Sequence, residues 1–229
     1  TGKLCDALKF RTSINSVLPW PLLMTTEHAF APYVRALGKG KLGSRSLTQN
    51  EAHHAMSMIL QQQVEPEQLG AFLMLLRVKE ETPAELAGFV AAVRSFHNYS
   101  SAQIPGIAVD IDWSSYAGKK RHLPWFLLSA LTLAGQGIKV FMHGARGHTQ
   151  GRIYSEDVLQ QLGFPAAHDW DQVESQLSNT NFSFMSLQHL SPPLDHIISL
   201  RAMFGLRSPV NTLTPLRNPL AATQSIHDV

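Results

Sequence analysis

The stretch from Gly137 to Gly163 constrains the fold more than any other part of the sequence. It begins with a short apolar run at 138–142, which is typical of a buried parallel strand. A polar loop at 143–152 follows, with two histidines, two arginines and three glycines. Ser155 then offers an N-cap for a helix that Gly163 can close. Open α/β sheets place their ligand sites where a strand, a polar loop and a helix follow in this order.

A second unit of the same kind lies just upstream. Residues 107–111 form a short apolar run, the loop at 112–121 reads DWSSYAGKKR, and Pro124 begins a helix. Two successive strand–loop–helix units predict parallel strands with a right-handed connection. Further along, the pattern predicts a helix at 169–177 and a strand at 182–185. A helix is expected to follow Ser191 and Pro192 and to end near Gly205, and residues 207–218, which include Pro209 and Pro215, are expected to form a loop.

The region 31–100 has a purely helical pattern instead. Thr48 to Glu51 and Thr82 to Glu85 each form a capping box, and Pro66 fits the first turn of a helix between them. Apolar residues recur at helical spacing after each start signal. Three short helices with tight connections predict a helical subdomain.

These patterns predict an α/β protein with a small all-α subdomain at its N-terminal side and a mostly parallel sheet flanked by helices. An irregular arm is expected at 1–30, the helical bundle subdomain at 31–100 and the α/β domain at 105–229. The chain of 229 residues is 44% hydrophobic and 16% charged, which suits a sizeable buried core. It starts without Met and stops at Val229 without a closing element, so we expect a fragment or a chain with an altered end.

Composition also narrows the location and the partners. No apolar run reaches the roughly 18 residues needed to span a membrane, and 1–24 lack the pattern of a signal peptide. The single cysteine, Cys5, excludes an internal disulfide, so the cytoplasm is the expected compartment. The formal net charge of +2 is too small to indicate nucleic-acid binding by itself, so clustering of the cations matters more.

Cations do cluster in the two loops that follow the predicted strands. Each loop leads into a helix N-terminus, where free N–H groups favour anions. Neighbouring parallel strands end at one sheet edge, so we expect a single basic patch of polyphosphate size; the alternative is a solvated basic rim. The candidate phosphate- or nucleic-acid-binding residues are Lys119, Lys120, Arg121, His143, Gly144, Arg146 and Arg152, with His148 in the same loop.

Catalytic residues are not assignable from the sequence. It contains no P-loop, no G-x-G-x-x-G and no evident nucleophile–histidine arrangement. Asp110 and Asp112 project to one face of a strand and could hold Mg²⁺ or order a turn. Trp113 and Tyr116 could stack on bases or pack in the core. The glycine-rich segment 38–46 could cradle phosphate or form a solvated loop.

Several motifs resemble the anthranilate phosphoribosyltransferase family and its nucleoside-phosphorylase relatives. They are GAFLMLLRVKEETPAELAGF, VDI, MHGARG, SEDVLQQLG and RAMFGLRSPVNTLTPLRNP, and the resemblance covers roughly residues 34–222. It implies a helical domain joined to an α/β domain, and a homodimer through the helical domain. It also implies that much of the family's C-terminal part is missing here. Arg201 falls where the family's transferases contact the carboxylate of anthranilate.

The sequence departs from the family's pattern at the phosphate-binding motifs. The GTGGD loop that wraps the pyrophosphate of phosphoribosyl pyrophosphate corresponds to DWSSYAGKKR here, without most of the glycines. In the KHGNR motif, Met142 replaces Lys and Ala145 replaces Asn, while His143, Gly144 and Arg146 remain. The family's acidic Mg²⁺ pair has no match before Val229. The pattern is most similar to a divergent branch typified by the bacterial YbiB proteins, which is associated with non-specific nucleic-acid binding.

Three functional hypotheses follow. The first is a phosphoribosyltransferase-fold protein with altered substrate motifs that binds nucleic acid or another polyanion. The second is a transferase that uses phosphoribosyl pyrophosphate with Mg²⁺ and anthranilate or a related aromatic acceptor. The third is a dimeric scaffold that acts only through protein interactions.

Overall fold

The computed structural model describes residues 27–101, 107–116, 118–147 and 150–227. Most of the predicted N-terminal arm and His148 lie outside the described residues. The helices of the N-terminal part are α1 (Ala31–Gly38), α2 (Gln49–Leu60), α3 (Pro66–Lys79) and α4 (Pro83–Ser101). The elements that follow are β1 (Ile111–Ser115), α5 (Phe126–Gly135), β2 (Val140–Gly144), α6 (Ser155–Gln161), α7 (Trp170–Thr180), β3 (Phe182–Ser186), α8 (Leu187–Leu190), α9 (Pro192–Ser199), α10 (Arg201–Phe204), α11 (Val210–Leu213), a 3₁₀ turn (Thr214–Leu216) and β4 (Gln224–His227).

Both predicted capping boxes start helices. The Thr48 hydroxyl accepts from the backbone N–H of Glu51, whose carboxylate accepts from the N–H of Thr48 in return. Thr82 and Glu85 repeat this exchange at the start of α4. α2 packs closely on α4 at Gly88, where a Cβ would lie 2.3 Å from the carbonyl oxygen of Gln49. The helical subdomain is therefore built from local start signals and one close helix crossing.

The sheet has the strand order β3-β2-β1-β4, and every pairing is parallel. Apolar side chains of one face pack with α5 and α6, and those of the other face pack with α7 and α8. A third cluster unites the helical subdomain with α9 and α11. The expected architecture is thus confirmed: a helical subdomain followed by a parallel four-stranded sheet flanked by helices.

The limits of two strands differ from the prediction. β1 covers 111–115 rather than 107–111, and β2 covers 140–144 rather than 138–142. β1 reads IDWSS, yet all five residues are buried, because its polar side chains find partners inside. Ser115 Oγ lies 2.5 Å from Ser155 Oγ, for example. Ser155, which the sequence offered as the N-cap, is instead the first residue of α6, and Tyr154 is the N-cap.

The C-terminal third also differs from the expected pattern. The single helix predicted from Pro192 to Gly205 is divided into α9 and α10, and the segment predicted as loop contains α11 and a 3₁₀ turn. The strand β4 was not predicted, since its sequence QSIH is polar and mostly exposed. In the described part of the chain, no helix combines the length and the apolar character needed to cross a bilayer.

Candidate functional site at the carboxyl edge of the sheet

The loops after β1 and β2 are joined to each other at the carboxyl edge of the sheet. The backbone N–H of Lys119 donates to the carbonyl of Ile153 at 2.8 Å, and the N–H of Ile153 donates back at 2.9 Å. Arg152 Nη1 donates to the carbonyl of Gly118 at 2.8 Å. A Cβ on Gly118 would lie 2.8 Å from the ring of Tyr154, so glycine permits this junction. The structure therefore brings Lys119 and Arg152 together at the carboxyl edge of the sheet.

The cations of the first loop differ in their exposure. Lys120 and Arg121 are exposed, whereas Lys119 is half-buried with Nζ 5.4 Å from the ring centre of Phe126. Trp125 is 62% exposed just beyond them. We call Lys120, Arg121 and Trp125 the outer basic surface. An exposed aromatic ring beside two cations can contact both the charge and the flat face of a ligand.

Arg146 of the second loop is already paired with carboxylates. Its guanidinium lies 3.4 Å from Glu156 and 3.1 Å from Asp157, both in the first turn of α6. Burial raises the pKa of Glu156, and the charge of Arg146 opposes that shift. Arg146 therefore meets carboxylates, and an anionic ligand would have to compete with them.

His143 does not belong to the exposed patch, contrary to the expectation from sequence. The imidazole is fully buried, with Nδ1 2.7 Å from the hydroxyl of Tyr116 and Nε2 3.2 and 3.3 Å from the two oxygens of Asp112. Burial lowers the pKa of His143 although Asp112 raises it. A neutral imidazole explains both contacts: Nε2–H donates to the carboxylate, and Nδ1 accepts from the tyrosine O–H.

Tyr116 and Trp113 are core residues rather than stacking platforms. Each is 7% exposed, and burial raises the pKa of Tyr116 to about 12, which keeps its hydroxyl protonated. Trp113 stacks on Phe126 with ring centres 6.0 Å apart. Of the two alternatives left open by the sequence, core packing applies to both residues.

The expected aspartate pair does not form a metal site. Asp112 faces His143, while Asp110 precedes β1 and its Oδ2 accepts from the backbone N–H of Lys139 at 2.8 Å. Within the described residues, no group of three or more His, Cys, Asp or Glu side chains could hold a metal ion. The residues present thus do not fit a Mg²⁺ ion held by the protein, and Asp110 fastens a turn instead.

Gly144 is required by strand packing. A Cβ at this position would lie 2.1 Å from the carbonyl oxygen of Ser115 on the neighbouring strand. No L side chain fits that space without moving the backbone, so the glycine permits the approach of β1 and β2 at their ends.

Arg217 is a buried residue of the site region that the sequence analysis missed. Its side chain is 1% exposed, and Nε, Nη1 and Nη2 have no hydrogen-bond partner in the part of the chain that the structure describes. Arg94 of α4 donates to the carbonyls of Arg217 and Leu216 at 3.0 and 2.9 Å, which fixes the backbone there. The sequence feature that could have revealed Arg217 is its position as a lone cation inside the otherwise uncharged run LTPLRNPL.

A histidine pair beyond β3 was also missed. His168 Nδ1 and His189 Nε2 are 2.9 Å apart, and both side chains are exposed. His189 lies in α8, directly after the carboxyl end of β3, so it shares the sheet edge with the joined loops. Arg201 begins α10 and is half-buried.

The glycine-rich segment 38–46 borders a cavity of about 230 Å³ on the helical subdomain. Its basic lining residues include Arg35 and Arg45, which pair with Glu27 and Glu51. Carboxylates therefore balance two of its cations, which favours the solvated-loop alternative over a phosphate cradle.

Comparison with known proteins identifies the family. The helical bundle domain of a glycosyl transferase family matches residues 31–96, and the α/β domain of the glycosyl transferase family matches residues 126–229. The chain belongs to this family. The resemblance found in the sequence is thereby confirmed at the level of the family, whereas the YbiB branch stays a prediction.

The curated relatives are anthranilate phosphoribosyltransferases. That of Methylocella silvestris is 37% identical over 183 residues, which are 80% of this chain and 51% of the relative. That of Bacillus subtilis is 30% identical over 185 residues, which are 80% of this chain and 53% of the relative. The chain thus spans about half the length of the curated relatives it matches.

Solved structures of anthranilate phosphoribosyltransferases share the fold of this chain. Anthranilate phosphoribosyltransferase from Thermus thermophilus is 26% identical, with a TM-score of 0.68 over 85% of this chain and 57% of that chain. The enzyme from Saccharomyces cerevisiae in complex with PRPP and Mg is 19% identical, with a TM-score of 0.64 over 88% of this chain and 58% of that chain. The second likeness concerns the fold alone.

Proposed function

We propose that this chain forms the pyrophosphate-binding edge of a phosphoribosyltransferase, with phosphoribosyl pyrophosphate as its ligand. The observation that carries the proposal is the junction of the two loops at Lys119 and Ile153, at the carboxyl edge of a parallel sheet. The family and the relatives' enzyme class support the choice of ligand. Mg²⁺ would enter as the counter-ion of the pyrophosphate.

Side chains would do most of the binding at this edge. Ser115 ends β1 and Tyr116 follows it, at the point where a glycine-rich loop would offer its backbone N–H groups, and Tyr116 is buried. Lys120 and Arg121 are exposed next to the loop junction and can reach an anion. We therefore expect weaker ligand binding than a backbone cradle gives. In the same reaction, Arg201 would bind the carboxylate of an aromatic acceptor.

Calorimetric titration with phosphoribosyl pyrophosphate and Mg²⁺ tests the ligand. Wild type should bind saturably, and the double variant Lys120→Ala/Arg121→Ala should bind at least about tenfold more weakly because two charge-assisted contacts are lost. The matched control is Lys41→Ala/Arg77→Ala, which removes one exposed lysine and one exposed arginine from the helical subdomain. Absence of saturable binding by wild type, or equal affinity of the two double variants, would refute the proposal.

Release of pyrophosphate that depends on anthranilate tests the transfer step. Arg201→Ala should raise the KM for the acceptor and leave binding of phosphoribosyl pyrophosphate unchanged, since the guanidinium is assigned to the carboxylate only. Binding of phosphoribosyl pyrophosphate without acceptor-dependent release of pyrophosphate would support the proposed binding site and refute the proposed transferase activity.

A second candidate function is binding of single-stranded nucleic acid. Trp125 favours it, because an exposed aromatic ring beside Lys120 and Arg121 matches a surface on which bases stack. Fluorescence anisotropy with a labelled oligonucleotide at two salt concentrations should then show binding that weakens steeply with salt. Trp125→Ala should reduce this binding and leave that of phosphoribosyl pyrophosphate intact. No binding at low salt would eliminate this candidate.

We further propose a homodimer through the helical subdomain, in the cytoplasm. Two apolar residues of that subdomain are exposed: Leu42 fully and Val78 to 83%. Both could pack between two copies of the chain. Sedimentation equilibrium of wild type and Val78→Asp tests it: a dimer that the aspartate dissociates is expected, and a monomeric wild type would refute it.

A further inference from the structure

The histidine pair beyond β3 presents two metal-ligating nitrogens at the surface of the sheet edge. His168 Nδ1 and His189 Nε2 lie 2.9 Å apart, and both side chains are exposed. Neutral imidazole is the side chain that most commonly binds metal ions in proteins. The proposed binding of phosphoribosyl pyrophosphate uses neither histidine, so the pair is free for another ligand.

The mutual orientation of the two rings matches coordination of one ion better than a straight hydrogen bond. The ring centres are 4.5 Å apart, and the ring planes are inclined by 83°. A straight N–H···N hydrogen bond of the observed length would place the ring centres about 5.2 Å apart. Two imidazoles that meet at one ion, with bonds of about 2.1 Å and an angle of about 90°, would have their nitrogens about 3.0 Å and their ring centres about 4.6 Å apart. Both observed distances agree with the second arrangement.

The distance between the nitrogens also distinguishes between classes of ion. A tetrahedral ion such as Zn²⁺ holds its ligands at about 109°, which would separate the nitrogens by about 3.4 Å. Square-planar and tetragonal sites, which Cu²⁺ and Ni²⁺ prefer, hold neighbouring ligands at about 90°. The observed 2.9 Å therefore favours Cu²⁺ or Ni²⁺ over Zn²⁺.

Other contacts fix the backbone next to each histidine. Ala167, which precedes His168, is fully buried, and its N–H donates to the carbonyl of Phe184 on β3 at 2.7 Å. His189 belongs to α8 and is followed there by the buried Leu190. The two rings thus extend from ordered segments, and binding of an ion would require little further ordering of the chain.

We propose that His168 and His189 form a binding site for Cu²⁺ or Ni²⁺, in which His168 Nδ1 and His189 Nε2 occupy neighbouring positions around the ion. Each ring then carries its proton on the outer nitrogen, because only an unprotonated nitrogen binds a metal. No group of three or more His, Cys, Asp or Glu side chains in the described part of the chain could hold a metal ion, so water would fill the remaining positions. The site requires no phosphoribosyl pyrophosphate, so it can fail while the proposed function holds.

Calorimetric titration of the full chain with Ni²⁺ and with Zn²⁺, at about pH 7.5 where exposed imidazoles are neutral, measures the site. Wild type should bind Ni²⁺ more tightly than Zn²⁺. His168→Gln and His189→Gln should each weaken Ni²⁺ binding at least about tenfold, because either change removes the advantage of a second linked ligand. The matched control is His54→Gln/His122→Gln, which removes two exposed histidines elsewhere and should keep the wild-type affinity. Circular dichroism without metal establishes that each variant folds.

Electron paramagnetic resonance with a single equivalent of Cu²⁺ identifies the ligands. Wild type should give a tetragonal spectrum with coupling to two imidazole nitrogens, and the splitting should change when histidine is labelled with nitrogen-15. Each single variant should lose one of the two couplings, since one ring no longer reaches the ion.

Several results would overturn the proposal. Wild type that binds no Ni²⁺, or binds it no better than the single variants do, would show that the pair is not the site. Tighter binding of Zn²⁺ than of Ni²⁺ would show that the orientation of the rings does not select the ion. A single variant that keeps both nitrogen couplings to Cu²⁺, or a control that loses Ni²⁺ affinity, would place the ion at other histidines.

Discussion

Two buried charges, one in each part of the molecule, have opposite surroundings. Glu85 in the helical subdomain is 0% exposed and accepts hydrogen bonds from Lys79 Nζ, from the backbone N–H groups of Thr82 and Leu47, and from the Thr82 hydroxyl, all at 2.8 to 2.9 Å. Arg217 beside the sheet is 1% exposed, and its side-chain nitrogens have no partner among the described residues.

The difference separates a buried charge whose hydrogen bonds help to build the fold from one that is left without them. Glu85 closes a helix start and ties α4 to the loop before α2, so donors from two segments of the chain satisfy its carboxylate. The guanidinium of Arg217 finds no acceptor among the described residues, although Arg94 holds the backbone carbonyl of the same residue. Incomplete satisfaction of a buried group costs stability.

The largest effect on stability is expected from Gly144→Ala, a substitution in strand β2 of the sheet. The new methyl group would overlap the carbonyl of Ser115, so the free energy of unfolding should fall by about 3 kcal/mol or more. Gly135→Ala is the control, since a Cβ there has nothing within 4 Å and should cause no loss. Urea unfolding followed by tryptophan fluorescence and by circular dichroism measures both. If the helical signal kept its wild-type midpoint, the two parts would unfold separately.

Glu85→Gln should be the next largest effect, in the helical subdomain. An amide cannot satisfy Lys79 and the backbone donors together, so we expect a loss of about 3 kcal/mol. Glu67→Gln makes the same chemical change at an exposed position of α3 and should cost less than about 0.5 kcal/mol. Equal midpoints for the two variants in urea would show that the hydrogen-bond network of Glu85 contributes nothing.

Arg217→Met should cost less than Glu85→Gln, about 1–2 kcal/mol, because the buried charge that it removes has no hydrogen-bond partner among the described residues. Thermal and urea unfolding of wild type, Arg217→Met and Glu85→Gln provide the comparison. An Arg217→Met protein as unstable as Glu85→Gln would mean that Arg217 stabilises the fold as Glu85 does.

The smallest expected effects are losses of unfolding free energy in two separate pH ranges. Burial lowers the pKa of His143 from 6.5, so the sheet part should lose stability as pH falls below that value. The hydrogen bond from Arg45 lowers the pKa of Glu51 from 4.5 to about 2, so its stabilisation is complete above pH 4.5 and lost as pH falls toward 2. Unfolding free energies across pH should show both windows, and Glu51→Gln should flatten only the lower one.

How far the sequence predicts the structure differs between the two parts for a physical reason. The helices could be predicted because capping boxes and proline positions are local signals. β1 was misplaced because the apolar run ends at Ile111, while the strand continues through Asp112, Ser114 and Ser115. Their burial depends on partners on β2, α6 and β4, which no local pattern reveals. The exposed cations of the first loop were predictable, but the burial of His143 was not.

The position of β1 in the sheet has a consequence for how the chain folds during synthesis. β1 lies between β2 and β4, and its contacts with β4 join residues up to 113 positions apart. On the ribosome, β2 can pair with β1 early, but the other edge of β1 stays open until residues 224–227 have emerged. Open strand edges attract other chains, and distant pairings form slowly. We therefore expect nascent forms of this protein to depend on chaperones until β4 is in place.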